Sequence, residues 1–317
     1  MDFRTLRYVL AIADYQNITK AAEALFVGQP TLSKFMISIE NEIGLKLFRR
    51  MGHRYLLTYA GERYVEHARQ ILRMKEELDA EMADILKRDV GVLRVAFPLM
   101  RGSYLLPRVL PAFQARYPNV KVVLLEGSSS ENDGRLLDGR VDLAFYSKPE
   151  QRNVLIEYQT LAQEELLLCA QKGHPLENLA KTEPGSAYPH VELSLIQDER
   201  LLLLQPGQRT RQIVDALLSE HHIQPANTLC TSNIRVIVGL VSEGYGLSFL
   251  FDSHLRSQED QRSIRCFRFG STPIRRDFVA ACRAGSYLPH YAYDFIEIAK
   301  EVVSAESPEA ATYLLDR

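Results

Sequence analysis

A proline-free stretch divides this 317-residue chain into two unequal parts. Residues 58–88 contain no proline and one glycine, Gly61. Side chains recur there at alternating steps of four and three residues, which predicts one long helix with a coiled-coil seam. The positions of this 4-3 stripe are Tyr64, Ala68, Ile71, Lys75, Leu78, Met82 and Ile85. We expect the helix to join two globular units and to pair with a second copy; the alternative is that it packs on its own domain.

Composition limits the class of protein. The formal net charge is -2, yet residues 1–63 carry nine Lys or Arg against six Asp or Glu, so the N-terminal end is basic. No signal-peptide pattern and no apolar run of the ~20 residues that span a bilayer are present, so we expect a cytoplasmic protein without a membrane partner. The four cysteines form no CxxC pair, and neither a metal site nor a cofactor is predicted. They are Cys169, Cys230, Cys266 and Cys282.

Three short helices are predicted before residue 45. The first covers about residues 4–15, the second begins near an N-cap at Thr19, and the third follows Gly28, with Pro30 in its first turn. At about 100° per residue, one face of the third helix is apolar and packs on the first two. That face carries Leu32, Met36, Ile39 and Ile43. The opposite face presents short polar groups and one lysine, which suit base edges and phosphates in a DNA groove.

A basic hairpin is predicted directly after these helices. The segment "LFRRMGHRYLLT" has two apolar or alternating ends around Met51, Gly52 and His53. Three arginines lie on it, Arg49, Arg50 and Arg54. A basic hairpin beside an exposed helix is typical of a winged helix-turn-helix, in which the helix enters the major groove and the hairpin contacts the backbone. DNA binding is therefore the favoured function of this end.

After Gly91 the pattern becomes alternating strands and helices. Three apolar strands, "VLRVAF", "VKVVLL" and "VDLAFY", alternate with helices near residues 103–117 and 132–138. A second set follows with "EELLLCA", "RLLLLQ", "NTLCTS" and "GLSFLF", and "RDFVAACR" precedes a C-terminal helix. This order predicts an α/β fold with parallel strand pairs, arranged as two lobes with a cleft between them.

The N-terminal run "LRYVLAIADYQNITKAAEALFVGQPTLSKFMISIENEIGLKLFRRMGHRYLLTYAGERYVEHARQIL" resembles the DNA-binding domain of LysR-type transcriptional regulators. The segments "HPL", "QPGQRTR" and "SEGYGLSFLF" are similar to the effector domain of that family. The resemblance implies an all-α winged helix-turn-helix, a long linker helix and a two-lobed, periplasmic-binding-protein-like α/β effector domain. The expected boundaries are 1–58, 59–89 and 90–317, with lobe I formed by 90–162 and 268–305 and lobe II by 163–267.

The same resemblance implies the partners and the DNA-contacting positions. The partners are double-stranded promoter DNA, a small-molecule effector, further copies in a homodimer or homotetramer, and RNA polymerase. The DNA-binding residues are Gln29, Pro30, Thr31, Ser33, Lys34, Arg49, Arg50 and Arg54. This chain departs from the family at Gly28, where serine is usual, and at Ile37 and Ser38, where basic residues are common. The sequence preference is therefore expected to differ after Lys34.

Ligands of two-lobed folds bind in the cleft, where strand ends and helix N-termini leave N–H groups that favour anions. Four such junctions, which match the positions that the resemblance implies, occur here. The candidate effector-binding residues on them are Pro98, Met100, Arg101, Ser103, Ser128, Ser129, Gln205, Gln208, Arg209, Thr210, Thr231 and Ser232. Arg101 and Arg209 are each suited to bind a carboxylate bidentately, so we expect a small organic acid. The alternative is that both arginines are solvated surface charges.

Three other functions were weighed. An enzyme is not indicated, because the sequence lacks a G-x-S-x-G elbow, a P-loop and an H-E-x-x-H motif. A solute-binding protein without DNA activity would leave the basic hairpin and the polar helix face unexplained. A thiol-based redox regulator of the same family would need a close cysteine pair in the second lobe, and no two cysteines are close in sequence.

Overall fold

The structure is a computed structural model that describes residues 2–52, 54–86, 89–182, 185–225, 227–255 and 263–305, with the Leu99 side chain also left undescribed. Three sequence predictions extend beyond these ranges. His53 at the predicted hairpin turn, Lys87 and Arg88 at the end of the predicted long helix, and residues 306–317 at the end of the effector domain lie outside the described residues.

The N-terminal unit is a three-helix bundle with a two-stranded hairpin. Its elements are α1 (Phe3–Tyr15), α2 (Ile18–Ala24), α3 (Gln29–Ile43), β1 (Phe48–Met51) and β2 (Arg54–Leu57). The predicted helix-turn-helix and wing are confirmed. The N-cap of α2 is Asn17 rather than the predicted Thr19, because the Asn17 side chain accepts the free N–H groups of Thr19 and Lys20.

A buried carboxylate attaches the hairpin to the third helix. Glu40 is 4% exposed on the inner side of α3. Its Oε1 accepts the backbone N–H groups of Leu47 at 2.9 Å and Phe48 at 3.1 Å, and its Oε2 accepts Lys46 Nζ at 2.7 Å. Hydrogen bonds to a charged group are stronger than neutral ones, so the start of β1 is fixed relative to α3.

The predicted long helix forms as α4 (Tyr59–Ile85), capped by the Thr58 side chain. Gly61 lies where α4 crosses the entry to the hairpin, and an added Cβ there would stand 2.0 Å from the Leu47 carbonyl oxygen. This close approach allows only glycine. The 4-3 stripe divides along the helix, since Ala68 is buried near the bundle, whereas the apolar members nearer the C-terminus are exposed. These are Ile71, Leu78, Met82 and Ile85.

A second face of α4 packs on its own effector domain. Glu77 accepts Arg283 Nη2 at 2.8 Å, and Asp84 accepts the Tyr287 hydroxyl at 2.5 Å and the His290 backbone N–H at 3.0 Å. The alternative of packing on its own domain therefore holds for this face, while the exposed part of the stripe remains available to a partner.

The effector domain is a mixed α/β unit. Its helices are α5 (Leu99–Arg116), α6 (Ser129–Leu137), α7 (Leu176–Leu179), α8 (Arg209–Glu220), α9 (Ile234–Ser242) and α10 (His290–Ser304). Its strands are β3 (Gly91–Phe97), β4 (Val120–Glu126), β5 (Leu143–Ser147), β6 (Ile156–Gln171), β7 (His190–Val191), β8 (Arg200–Leu204), β9 (Asn227–Thr231), β10 (Ser248–Phe251), β11 (Ile264–Phe269) and β12 (Arg275–Arg283).

One continuous sheet runs through both lobes. Its strand order is β4-β3-β5-β12-β6-β11-β7, and β10 also pairs with β6. The predicted parallel pairing is confirmed for β3 with β4 and β5 and for β8 with β9, whereas β12 is antiparallel to β5 and β6. The 16-residue strand β6 begins well before the predicted "EELLLCA" segment. It pairs with β12 in its first part and with β10 and β11 in its second.

Separate apolar cores lie on either side of this crossing. In lobe I, α5 and α10 pack on the sheet around Phe113, Phe145 and Phe295. In lobe II, two clusters lie under α8 and α9. The cleft therefore lies where β6 and β12 pass between the cores. Within the described ranges, every helix is too short or too polar to cross a membrane.

Candidate DNA surface and interlobe cavity

The outer face of α3 is polar and open. Gln29, Thr31 and Lys34 are exposed and Ser33 is half-buried, while Leu32, Met36 and Ile39 are buried against α1 and α2. Pro30 occupies the first turn, where its missing N–H is harmless. Gly28 at the N-cap has no side chain, so no side-chain hydrogen bond from this position caps the first-turn N–H groups of α3.

Apolar side chains also lie on this surface. Ile37 is 47% exposed on the turn after Lys34, and Ser38 beside it is exposed as well. Ile43, predicted as core, is 39% exposed. It is the last residue of α3, where Gly44 turns the chain away in a left-handed conformation, and the bundle does not extend far enough to cover it.

The three hairpin arginines do not share one face. The register pairs Arg49 with Leu56 and Met51 with Arg54, so Arg49 and Arg54 lie on the same side of the ribbon. Arg50 lies on the other side, and its Nε donates to the Gly52 carbonyl at 2.9 Å. All three arginines are exposed; Arg49 and Arg54 share one side of the wing, and Arg50 also supports the turn.

A cavity of about 410 Å³ occupies the cleft between the lobes. It is lined by Pro98, Met100, Arg101, Ser128, Ser129, Ser130, Ser147, Leu204, Pro206, Gly207, Gln208, Arg209, Thr210, Gln212, Ile234, His254 and Arg276. The size is that of a pocket for a small organic molecule. The N-termini of α5, α6 and α8 open onto it, each at a strand end as the junction rule predicts.

Eight of the twelve predicted effector residues line this cavity and four do not. The four outside it are Ser103, Gln205, Thr231 and Ser232. The Ser103 hydroxyl donates to the Met100 carbonyl. The Gln208 side chain accepts the Gln205 backbone N–H and donates to the Ser232 carbonyl. The Thr231 hydroxyl accepts the backbone N–H of Asn233. These four residues therefore stabilise the strand-to-helix junctions by hydrogen bonds and do not line the cavity.

Arg101 is not the open carboxylate clamp that the sequence predicts, and it is not a solvated surface charge. It is 5% exposed, and its guanidinium binds both carboxylate oxygens of Glu164, with Nη2 at 2.9 Å from Oε2. The Arg101 guanidinium also lies 4.0 Å from the centre of the Phe278 ring. The carboxylate partner is thus supplied by the chain itself.

Arg276 shares the same carboxylate. Its Nε donates to Glu164 Oε2 at 3.1 Å, its Nη1 donates to the Thr210 hydroxyl at 3.0 Å, and its guanidinium lies 3.4 Å from the centre of the Phe251 ring. Burial would raise the pKa of Glu164, but the two guanidiniums outweigh burial and hold it well below its usual range. Burial lowers the pKa of Arg276 to about 10, so it is charged at neutral pH.

His254 completes the cavity floor in its neutral form. It follows Phe251 in a 3-10 turn (Asp252–His254) and is 6% exposed. Burial, reinforced by the charges of Arg276 and Arg101, lowers its pKa to about 3. Two arginine cations therefore face one glutamate anion beside a neutral histidine, which leaves a net charge of +1 at the floor.

Arg209 connects the lobes across the cavity. It is the first residue of α8 in lobe II, and its guanidinium donates to the Ser147 carbonyl at 2.6 Å and to Asp133 at 2.8 Å, both in lobe I. It also stacks 5.2 Å from the centre of the Tyr146 ring. Like Arg101, it is already paired with a carboxylate of the chain, although it remains partly exposed.

Sequence reasoning missed the residues that enter the cavity from strands and from the 3-10 turn. Arg276 begins the predicted strand "RDFVAACR", whereas Ser147 and His254 follow the predicted strands "VDLAFY" and "GLSFLF". The available signal was an arginine at the head of the apolar strand "RDFVAACR", which in retrospect marks a buried charge. Its partner Glu164 begins "EELLLCA" in the same way.

The buried His254 predicts a specific pH dependence of stability. The pKa falls from 6.5 in the unfolded chain to about 3 in the folded one, so between these values only the unfolded state binds the proton. Unfolding free energy should fall as the pH drops below 6.5, by up to about 1.4 kcal/mol per pH unit from this group. Urea denaturation between pH 7 and 5 measures it. His254→Gln should remove this slope, and exposed His221→Gln should keep it; equal slopes in all three proteins would contradict the assignment.

Similar proteins share this architecture. The family model "Bacterial regulatory helix-turn-helix protein, lysR family" matches residues 3–62, and the model "LysR substrate binding domain" matches residues 87–304. The uncharacterized HTH-type transcriptional regulator YcgK of Bacillus subtilis (strain 168) is 30% identical over 95% of this chain and 94% of its own.

Two further relatives extend the comparison. The HTH-type transcriptional activator CmpR of Synechocystis is 30% identical over 76% of this chain and 75% of its own. A full-length OxyR variant from Pseudomonas aeruginosa has a TM-score of 0.73 at 25% identity, covering 95% of this chain and 94% of that one. The predicted fold is confirmed, and the chain belongs to the LysR family of DNA-binding transcriptional regulators with an effector-binding domain.

Proposed function

We propose that this regulator binds double-stranded promoter DNA as a dimer or tetramer, and that a small organic anion in the interlobe cavity controls it. The main support for an anionic effector is the floor of the cavity, where Arg101 and Arg276 share the single carboxylate of Glu164. A buried net charge of +1 is costly unless an anion approaches it, so a carboxylate ligand would supply the missing counter-charge.

The rest of the cavity supports an anionic ligand. Pro98 and Gln208 stand at the N-caps of α5 and α8, and neither caps its own helix with a side-chain hydrogen bond. Side chains therefore do not cap the first-turn N–H groups of these two helices, whose N-termini open onto the cavity, and the helix dipoles favour negative charge there. The hydroxyls of Ser128, Ser129 and Thr210 are suited to orient a small polar molecule there.

The DNA-binding proposal rests on two adjacent surfaces of the N-terminal unit. The outer face of α3 offers an amide, two hydroxyls and an ammonium group, which are the groups that read base edges and bind phosphate. The wing adds three exposed guanidiniums, those of Arg49, Arg50 and Arg54. We assign base contacts to Gln29, Pro30, Thr31, Ser33 and Lys34, and phosphate contacts to the wing. We propose RNA polymerase as a further partner of the protein. Because both promoter DNA and RNA polymerase are cytoplasmic in bacteria, we propose the same location for the protein.

Ile37 is assigned a base contact of its own. It lies one turn after Ser33 on α3 and is 47% exposed. An apolar side chain at this place matches the methyl group of thymine in the major groove.

The family to which the chain belongs is regulatory, and we propose that the protein has no catalytic activity.

Lys34 provides a test of the DNA surface. If Lys34 reads base edges, Lys34→Ala should weaken binding to the operator by about 1–3 kcal/mol and affect unrelated duplexes much less. A footprint or anisotropy titration on the DNA upstream of the gene measures both affinities at one salt concentration. Lys121→Ala, an exposed lysine of β4, is the control and should leave both unchanged. An equal loss on both DNAs would make Lys34 a phosphate contact.

Two neighbouring arginines of α8 provide a matched test of the anion site. Arg209 lines the cavity, whereas Arg211 points away and binds the Leu204 carbonyl and Asp215. A carboxylic acid at 100 times its dissociation constant should stabilise the wild type by about 2.7 kcal/mol in a thermal-shift screen. Arg209→Ala should lose most of this response and Arg211→Ala should keep it. Equal responses in both variants would remove Arg209 from the site.

The exposed half of the α4 stripe supports self-association. Leu78 and Met82 are 55% and 44% exposed on adjacent turns, away from the face that packs on lobe I. A repeat of this spacing on a second copy would bury both stripes as a coiled-coil seam. Leu78→Glu should therefore shift the sedimentation mass toward the monomer, whereas Glu81→Gln on the same helix should not. A wild type that sediments as a monomer would contradict the proposal.

A further inference from the structure

Two cysteines that are 97 residues apart in sequence meet in lobe II. Cys169 lies on β6 and Cys266 on β11, and their sulfur atoms are 3.8 Å apart. Cys169 is fully buried between β10 and β11, while Cys266 is half-buried. The two cysteines are distant along the chain, so the sequence predicts no thiol pair, and the pairing of β11 with β6 brings them together.

The strand register fixes how the two residues face each other. Lys172 donates its backbone N–H to the Ser263 carbonyl at 2.7 Å, so this pair is hydrogen-bonded. Pairs alternate along an antiparallel ladder, and Cys169 and Cys266 are three steps further on. They therefore form a non-hydrogen-bonded pair, in which the Cα atoms are about 4.5 Å apart and the side chains are closest. This spacing falls within the ~4.4–6.8 Å range of disulfides.

We propose that Cys169 and Cys266 form a reversible disulfide, and that lobe II thereby carries a thiol-modification site separate from the effector cavity. The oxidant is a low-molecular-weight disulfide. The Cys266 thiolate, on the more accessible residue, attacks one sulfur of it and releases the first thiolate as leaving group. Cys169 loses its proton and attacks the Cys266 sulfur of this mixed disulfide, which releases the second thiolate. Two thiols are oxidised and one small disulfide is reduced to two small thiols.

The disulfide would lie next to the strands that cross between the lobes, and it would stabilise the folded state. Cys169 lies five residues after Glu164 on β6, and β11 leads directly into β12, the second strand that crosses between the lobes. A covalent bond between β6 and β11 would therefore join the crossing strand β6 to the strand that leads into β12, on the lobe II side. It would close a long loop in the unfolded chain, and such bonds stabilise the folded state most when the loop is long.

The test uses the full chain with the two other thiols removed. The double variant Cys230→Ser with Cys282→Ser keeps the pair and should, after equilibration with oxidised glutathione, lose both alkylatable thiols and the mass of two hydrogen atoms. Digestion should yield one linked peptide pair that contains Cys169 and Cys266. Its melting temperature should exceed that of the dithiothreitol-treated form by roughly 5–15 °C.

The wild type and a third variant complete the experiment. The wild type should give the same linked peptides without any substitution, so the result does not depend on the variants folding. Addition of Cys266→Ser to the double variant should abolish the linkage and the temperature difference. Retention of both thiols under oxidising conditions, a stable glutathione adduct on Cys266 without linkage, or linkage through Cys230 in the wild type would each overturn the proposal.

Discussion

The carboxylate of Glu164 is the point on which both lobes depend. It lies 1% exposed where β6 passes from one lobe to the other, and it binds Arg101 of α5 and Arg276 of β12. Each guanidinium replaces its lost hydration by stacking on a phenyl ring, Arg101 on Phe278 of the lobe I core and Arg276 on Phe251 of the lobe II core. Removal of one charge from such a buried group leaves the others uncompensated, which typically costs about 3–5 kcal/mol.

This buried group explains why the cavity lies where it does. An apolar floor would let the two lobes close on each other, but a floor with one cation in excess requires water or an anion beside it. The Arg209 bridge to Ser147 and Asp133 lines the same cavity next to this floor, since Thr210, the neighbour of Arg209, accepts a hydrogen bond from Arg276. The proposed anion would therefore act on two sets of contacts that join the lobes. A difference in its affinity for their alternative arrangements would couple its binding to the relative position of the lobes.

The sequence predicted elements well and tertiary pairings poorly. Strands with mostly apolar runs, such as β3 and β5, were predicted as strands, and β5 is buried at every residue. The first half of β6 and all of β11 mix polar and apolar residues without a continuous apolar run, and their neighbours are distant in sequence, so both were missed. The missed β11 hid the proximity of Cys266 to Cys169. The junction rule located eight cavity residues because strand ends and helix starts are local signals, whereas Arg276 and His254 enter from elements whose partners only the fold defines.

Contacts among α1, α4 and lobe I join the effector domain to the DNA-binding helices. Asp14 near the end of α1 accepts Arg69 of α4 at 2.5 Å and Arg140 of lobe I at 3.2 Å. Farther along α4, Asp84 accepts the first N–H of α10 and so serves as its cap. Lobe I thus contacts α1 through Arg140 and the C-terminal end of the linker helix through His290, and Gly61 lies where that helix approaches the wing. A rotation of lobe I must therefore either carry the recognition helix with it or break these contacts. Partly exposed ion pairs are weak. Small differences in effector binding energy between the two arrangements of lobe I are therefore sufficient to decide which outcome occurs.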